Sequence, residues 1–274
     1  MGQAEQEQSA GDPAQAYESF FVPAMFAPLA ALFLERTNPQ MGERVLDVAC
    51  GTGIVARRAA PFVGRSGRVV GLDPSPAMLL VARSVSDTEG VSVGWREGRA
   101  EALPFPDDSF DLVLCQMGLQ FFPDKPAALA EMRRVLASGG RVGLAVWQGL
   151  DKHPFWATLN EALLKRLGIP AVQIPFSLGN PDELRALLTA VGFSGVEVQP
   201  LPITTRFRDP ERFVPLQGSA SAAAIPSLQR LDAHARRELA DAVQADMEST
   251  IRGHIVEDYL EIPMHALVVL GCRQ

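Results

Sequence analysis

The chain is poor in cysteine, carries no excess of positive charge and has no long uninterrupted apolar run. Cys50, Cys115 and Cys272 are too few and too scattered for a disulfide framework, and no CxxC pair offers a metal site. Free thiols fit a reducing compartment, so a cytoplasmic location is expected. Lys and Arg number 25 against 32 Asp and Glu, giving a formal net charge of −7. A surface of that sign does not neutralise phosphates, so nucleic acid is not an expected partner. The most apolar early run, Phe20 to Leu34, is broken by Pro23 and Pro28 and reads as too short to span a bilayer. Residues 1–14 are polar and acidic, unlike a signal or transit peptide, and read as a disordered tail. No internal repeat is evident, and the remaining residues, 15–274, are expected to form one domain, as a monomer or homodimer.

What is present is concentrated in one stretch, Glu43-Arg44-Val45-Leu46-Asp47-Val48-Ala49-Cys50-Gly51-Thr52-Gly53-Ile54-Val55-Ala56. It reads as a buried strand, an acid near the strand's end, a glycine turn and a helix start. Twenty residues past Gly53, the run Arg68-Val69-Val70-Gly71-Leu72-Asp73 ends in a second acid. Strand, glycine loop, helix and acid-terminated strand make a nucleoside-binding βαβ unit. Ser75, with Pro76 after it, starts the next helix as an N-cap. Further strands are expected at 91–97, 110–115 and 141–147, with a helix over 124–136 started by Asp124. The alternation implies a doubly wound, mostly parallel sheet. After 147 the rhythm changes. Residues 148–182 are irregular and 209–258 mostly helical; together they read as a lid or cap placed before a last strand at 266–272.

Gly51-Thr52-Gly53-Ile54-Val55-Ala56 literally satisfies the loose dinucleotide fingerprint, which makes an NAD(P)-dependent oxidoreductase the first alternative. Asp47 argues against it. A pyrophosphate has no use for a carboxylate four residues before Gly51, whereas the ammonium group of a bound amino acid does. Asp73 is placed to accept hydrogen bonds from both ribose hydroxyls.

With these motifs in order, the chain resembles class I S-adenosylmethionine-dependent methyltransferases. It looks like the broad group that includes ubiquinone/menaquinone-biosynthesis C-methyltransferases and many small-molecule methyltransferases. The matching segments are Val45 to Gly53, Gly71 to Met78, Ala100 to Phe105, Ser109 to Val113 and Arg134 to Arg141. The resemblance implies a Rossmann-like, seven-stranded sheet in the order 3-2-1-4-5-7-6, with strand 7 antiparallel. It further implies that Asp47, Ala49, Gly51 and Gly53 line the methionine end of the cofactor. Asp73, with Pro74 beside it, would hold the ribose, and Met78 would pack on the adenine. Ala100 would meet the adenine edge through its backbone, between Arg99 and Glu101. Cys115 and Gln116 would contact the methionine portion or ribose. Two departures stand out: Ala49 replaces the first glycine of the family's loop, and Arg99 replaces an acid able to accept from the adenine amino group.

Transfer from a sulfonium requires alignment, exclusion of water and, for some nucleophiles, a base. Tyr17, Phe21, Phe122 and Trp147 are candidates to face the positive sulfur. His153, just after the fifth strand, is the preferred base, with His254 next; His234 reads as solvated and His265 as structural. The expectation is a methyltransferase that moves a methyl group from S-adenosylmethionine to a small molecule and leaves S-adenosylhomocysteine, with no metal. A non-catalytic protein of the same fold is the second alternative, kept open by Arg99 and the lack of an evident base.

Overall fold

The computed structural model describes residues 13–168, 172–221 and 231–274. Residues 1–12, most of the expected tail, lie outside that set; Pro13 and Ala14 already belong to a helix. Apolar runs bounded by glycine turns become strands of one sheet. β1 (Arg44–Val48) is buried continuously from Val45, because both faces of the sheet are covered. β2 (Arg68–Asp73), β3 (Gly94–Glu97), β4 (Phe110–Gln116) and β5 (Leu136–Trp147) run parallel to it in the spatial order β3-β2-β1-β4-β5. On the far side of β5 comes β8 (Tyr259–Cys272), antiparallel, with Ala266 opposite Trp147, and beyond it β6 (Ser194–Arg208).

The expected order therefore stands, with one correction: the sheet has eight strands. The two-residue β7 (Ile255–Val256) pairs with β8, so the antiparallel strand is the eighth in sequence. In the sequence the run Val196 to Phe207 reads as a strand broken by Pro200 and Pro202, whereas β6 runs through both prolines without a break. Both prolines fall on its exposed positions, and β6 closes the ordered strand path, where a missing N–H is tolerated.

The helix before β1, α1 (Pro13–Thr37), is a single 25-residue run that contains the apolar stretch Phe20 to Leu34. Its middle, Tyr17–Phe26, is wound as a π-helix around Pro23, which has no N–H to give to a regular ladder. By length and composition alone it is the one helix among the described residues that could cross a membrane, and 56% of its apolar window is buried within the protein. The sheet is flanked by α2 (Ile54–Val63), α3 (Pro76–Glu89), α4 (Lys125–Val135) and α6 (Pro181–Ala190), while α5 (Pro154–Leu167) lies between them in sequence. Their starts follow the sequence signals. Ser75 Oγ accepts from Met78 N–H at 3.3 Å, Asp124 Oδ1 from Ala127 N–H at 2.9 Å and Asn180 Oδ1 from Asp182 N–H at 2.9 Å. Leu129 and Met132 of α4 and Leu184 and Leu188 of α6 bury against Leu46, Val113 and Leu144 of the strands, all without exposed surface.

The chain divides into two compact units. One holds the sheet and comprises Leu29–Gly149, Pro175–Leu201 and His265–Gln274. The other gathers the described chain up to Pro28, Leu150–Ile174 and Pro202–Met264, including α5, α7 (Phe213–Ser221) and α8 (Ala233–Arg252). Rings dominate its interior: Phe207 lies 5.0 Å from Phe20 and 5.1 Å from Phe213, and Phe213 lies 5.3 Å from Phe155.

Candidate cofactor site at the carboxyl edge of the sheet

Where β1 ends, the backbone turns sharply. Ala49, Gly51 and Gly53 all adopt left-handed φ, at 58°, 55° and 87°. For the two glycines this is ordinary; for Ala49 it costs about 1–2 kcal/mol. The turn survives because its polar groups are tied down on every side. Cys50 N–H donates to the Leu72 carbonyl at 3.0 Å and Gly53 N–H to the Cys50 carbonyl at 2.8 Å. Asp73 closes the loop from β2: its Oδ2 accepts from Gly51 N–H at 2.8 Å and its Oδ1 from Ser75 N–H at 2.9 Å. Asp47 Oδ2 accepts from Ala56 N–H at 3.0 Å in the first turn of α2.

Three residues outside the expected set shape this loop. Arg57, almost wholly buried, donates from Nη1 to the Thr52 carbonyl at 2.7 Å, and its Nε lies 3.2 Å from Glu89 Oε2 at the end of α3. The indole of Trp95, paired across from Gly71, covers two glycines at once. A Cβ would fall 2.2 Å from that ring at Gly53 and 2.4 Å from it at Gly71. Beyond β4, a Cβ on Gly118 would come within 2.7 Å of both Ala49 Cβ and Cys115 Sγ. Gly118 thus leaves the room that the Ala49 methyl takes up. Its neighbour Met117 is left-handed too, at φ 57°, and receives at its sulfur a 3.7 Å contact from Gln120 Nε2.

The loop after β3 joins the same edge, because Gly98 N–H donates to the Asp73 carbonyl at 3.2 Å. Asp47, Ala49, Gly51, Gly53 and Asp73 are therefore brought together, with the loop of Arg99, Ala100 and Glu101 starting beside them. Pro74 and Arg99 are exposed, Met78, Glu101 and Gln116 half-buried, and Ala100 buried. Cys115 has no exposed surface, so its side chain belongs to the core face of β4. Cys50 Sγ lies beside Gly71, whereas Cys115 Sγ lies beside Gly118. The catalytic candidates belong to the other unit. Tyr17 is half-buried, stacked on Phe26 at 5.1 Å, and His153 is completely buried at the start of α5. His254, part-buried, has Nδ1 2.8 Å from the Thr250 carbonyl.

Burial sets the electrostatics. It pushes the Asp47 carboxyl up to about 8, helped by the nearby Asp73 charge and opposed by the Ala56 N–H. Asp73 is raised for the same reason, with two backbone donors holding it down. Burial likewise drives the Cys115 thiol up to about 12, which makes it inert at neutral pH.

Among the described residues, buried polar atoms without a hydrogen-bond partner at this edge include Thr52 Oγ1 after β1, Glu101 Oε1 after β3 and Gln120 Oε1 after β4. Such atoms are costly unless something else meets them. An amino acid joined to a nucleoside brings an ammonium and an exocyclic amino group, so S-adenosylmethionine suits this set. A pyrophosphate does not: Gly51, Gly53 and Ala56 N–H groups, the donors an anion would seek, are already engaged by Asp73, Cys50 and Asp47.

Comparison with known proteins agrees. A methyltransferase-domain family model matches residues 45–140. The chain is 34% identical to the ubiquinone/menaquinone biosynthesis C-methyltransferase UbiE of Serratia proteamaculans over 182 residues, 60% of this chain and 71% of that protein. It is 38% identical to the 2-phytyl-1,4-naphtoquinone methyltransferase of Synechococcus elongatus over 136 residues, 47% of this chain and 56% of that one. In fold it resembles phosphoethanolamine N-methyltransferase 2 of Haemonchus contortus, solved with S-adenosyl-L-methionine. The TM-score is 0.58 and the identity 21%, covering 95% of this chain and 56% of that one. The chain belongs to the class I S-adenosylmethionine-dependent methyltransferases. Its match spans a little over half the length of the first curated relative.

Proposed function

We propose that the protein transfers a methyl group from S-adenosylmethionine to a small-molecule acceptor. The observation that carries this reading is the set of buried, unpartnered polar atoms on three loops of one sheet edge, beside two buried carboxylates. Asp73 would accept from the ribose hydroxyls with the lone pairs that Gly51 and Ser75 leave. Asp47, Thr52 and Gln120 would meet the amino-acid end, and Ala100 and Met78 the base. Bound S-adenosylmethionine supplies the methyl carbon, whose bond to sulfur breaks as the acceptor's lone pair attacks in line. The residues of this chain align the cofactor and keep water away from it.

The acceptor side is assigned more coarsely. Of the segments 148–182 and 209–258, expected as a lid, residues 169–171 and 222–230 lie outside the described set. A relative named for a naphthoquinone points to a ring-bearing, weakly polar acceptor. Tyr17 and His153 remain our candidates for guiding the methyl group and removing a proton. His153 can act only on a group that enters the interior beside it. Calorimetry with S-adenosylmethionine, S-adenosylhomocysteine and NADH tests the cofactor. Binding of the first two and not of NADH is expected, with Asp73→Ala weakening S-adenosylhomocysteine by about 100-fold or more. Binding of NADH alone would refute the reading. Turnover on a panel of quinols with labelled S-adenosylmethionine tests the acceptor.

A further inference from the structure

We propose that the amino edge of the sheet, where the parallel strands begin, is a docking surface for a lipid bilayer with anionic headgroups. Arg58 and Arg65 would meet the headgroup phosphates, and Phe62 and Met41 would enter the apolar layer beneath them. This edge lies opposite the candidate cofactor site, and the proposal goes beyond the methyl-transfer reading. It starts from an uneven spread of charge. The 25 residues from Val48 to Leu72 hold four arginines, Arg57, Arg58, Arg65 and Arg68, and no acid; against the chain's net −7, the remaining residues carry −11. A face of local positive sign on an otherwise acidic protein sets which side turns toward an anionic surface.

The fold brings these residues to one place. β1 and β2 are parallel neighbours with Arg44 opposite Arg68, so the turns that lead into them lie side by side. Gly42 N–H donates to the Val63 carbonyl at 2.9 Å, and Arg68 N–H to the Glu43 carbonyl at 3.0 Å. A Cβ on Gly64 would stand 3.6 Å from Met41 Sδ, so Met41 packs against the end of α2. Arg58 lies one helical turn before Phe62 on α2, and Arg65 lies just past that helix's end. Arg58, Arg65 and Arg68 are exposed, as are Phe62, at 50%, and Met41, at 76%. The acids that could neutralise this edge are engaged elsewhere: Glu43 by Arg141 at 2.7 Å, Asp111 by Arg44 at 2.6 Å and Glu89 by Arg57 at 3.2 Å. Arg68 rests 5.8 Å from the centre of the Phe110 ring, a contact that leaves its charge uncompensated. Among the described residues, no acid pairs with Arg58, Arg65 or Arg68.

The mixture of side chains selects the partner. A bilayer offers phosphate oxygens and hydrocarbon at adjacent depths and asks for no fixed geometry, which suits long arginines around bare apolar side chains. A folded acidic protein would be read by directional hydrogen bonds as well as by charge. The patch has few groups left to make them: Gln40 Nε2 already donates to the Asn38 carbonyl at 2.8 Å, and Gln40 N–H to Glu43 Oε2 at 2.7 Å. Docking on this edge leaves the carboxyl edge of the sheet facing the water from which a soluble cofactor arrives.

The experiment is co-sedimentation of the full chain with vesicles, made either of phosphatidylcholine alone or of phosphatidylcholine and phosphatidylglycerol in equal parts. The wild type should sediment with the mixed vesicles at low salt, less so at high salt, and not with phosphatidylcholine alone. Arg58→Gln combined with Arg65→Gln should lower the partition coefficient by about 25-fold, about 5-fold for each arginine. Phe62→Ser should lower it by about 5-fold or more and leave its salt dependence in place. Melting curves confirm that each variant is folded. A wild type that stays in the supernatant overturns the proposal, and so does sedimentation that these substitutions leave unchanged or that phosphatidylcholine alone supports equally. Retention on an immobilised polyglutamate peptide that needs the arginines but not Phe62, without vesicle binding, overturns it in favour of an acidic protein partner.

Discussion

At the sheet edge, the loop after β1 is held by directional bonds from five side chains and carbonyls, at 2.7 to 3.0 Å, and keeps three residues in left-handed backbone. In the other unit, Phe20, Phe155, Phe207 and Phe213 are held by ring packing at 5.0 to 5.3 Å, with few directional bonds among them. The first arrangement fixes individual atoms and so suits a ligand of invariant structure. The second fixes volume and apolarity, and tolerates a range of shapes. A cofactor shared by many reactions makes the first of these demands.

If the contrast is real, the two regions must fail differently. Phe207→Ala, in the aromatic unit, should lose the most stability, about 3–5 kcal/mol by chemical denaturation. The affinity of the folded protein for S-adenosylhomocysteine should stay within about 2-fold. A large fall in that affinity would mean that the aromatic interior also shapes the cofactor loop. Arg57→Met at the sheet edge should do the reverse. It leaves the Thr52 carbonyl without its buried donor and should weaken S-adenosylhomocysteine by roughly 10-fold. Arg57→Lys, which keeps one donor, should recover part of this. Unchanged affinity in a destabilised Arg57→Met protein would reduce Arg57 to a packing role.

The same contrast governs what the sequence could reveal. Asp47, Gly51, Gly53 and Asp73 were legible because a tight strand-to-helix turn needs particular residue types at a fixed spacing. The caps Ser75 and Asp124 were legible for the same local reason. Trp95 was not, since its cover over Gly53 and Gly71 depends on how β3 is registered against β2, a long-range fact. Arg57 looked like any helix arginine until its partners Thr52 and Glu89 were in place, and Gln120 had no spacing signal at all. β6 was foreseen as broken because a proline's effect depends on whether the strand lies at an edge. In the aromatic unit only composition was available, and composition does not say which rings meet.

Acidity gives a third test. Asp47 is raised to about 8 in the folded protein, from about 3.9 in an unfolded chain. Its protonated form is thus favoured by folding, so its contribution is full below pH 4 and is lost as pH rises through 8. Melting temperature should fall between pH 5 and 8, and Asp47→Asn should flatten the slope. Bound S-adenosylhomocysteine, whose ammonium favours the ionised acid, should flatten it too. Asp246 of the other unit, lowered by Arg166 and Lys165 on an exposed face, has the opposite sign: its contribution is lost as pH falls through its folded value. That effect is screened by solvent, so Asp246→Asn should leave the melting profile above pH 5 unchanged.

The smallest effect tests the loop itself. Ala49 pays for its left-handed backbone, so Ala49→Gly removes about 1 kcal/mol of strain and loses a comparable amount to the freer unfolded chain. Taken alone it should be nearly neutral. Gly118→Ala should not be, because the new Cβ meets both Ala49 and Cys115 at 2.7 Å; about 1–3 kcal/mol should be lost, with weaker S-adenosylhomocysteine binding. Adding Ala49→Gly to Gly118→Ala removes one of those two collisions. The double variant should therefore recover part of the loss, a coupling of at least about 0.5 kcal/mol between residues 69 positions apart. Strict additivity would mean that the loops after β1 and β4 do not share the space that their backbones imply, and that the alanine in the glycine loop is accommodated in some other way.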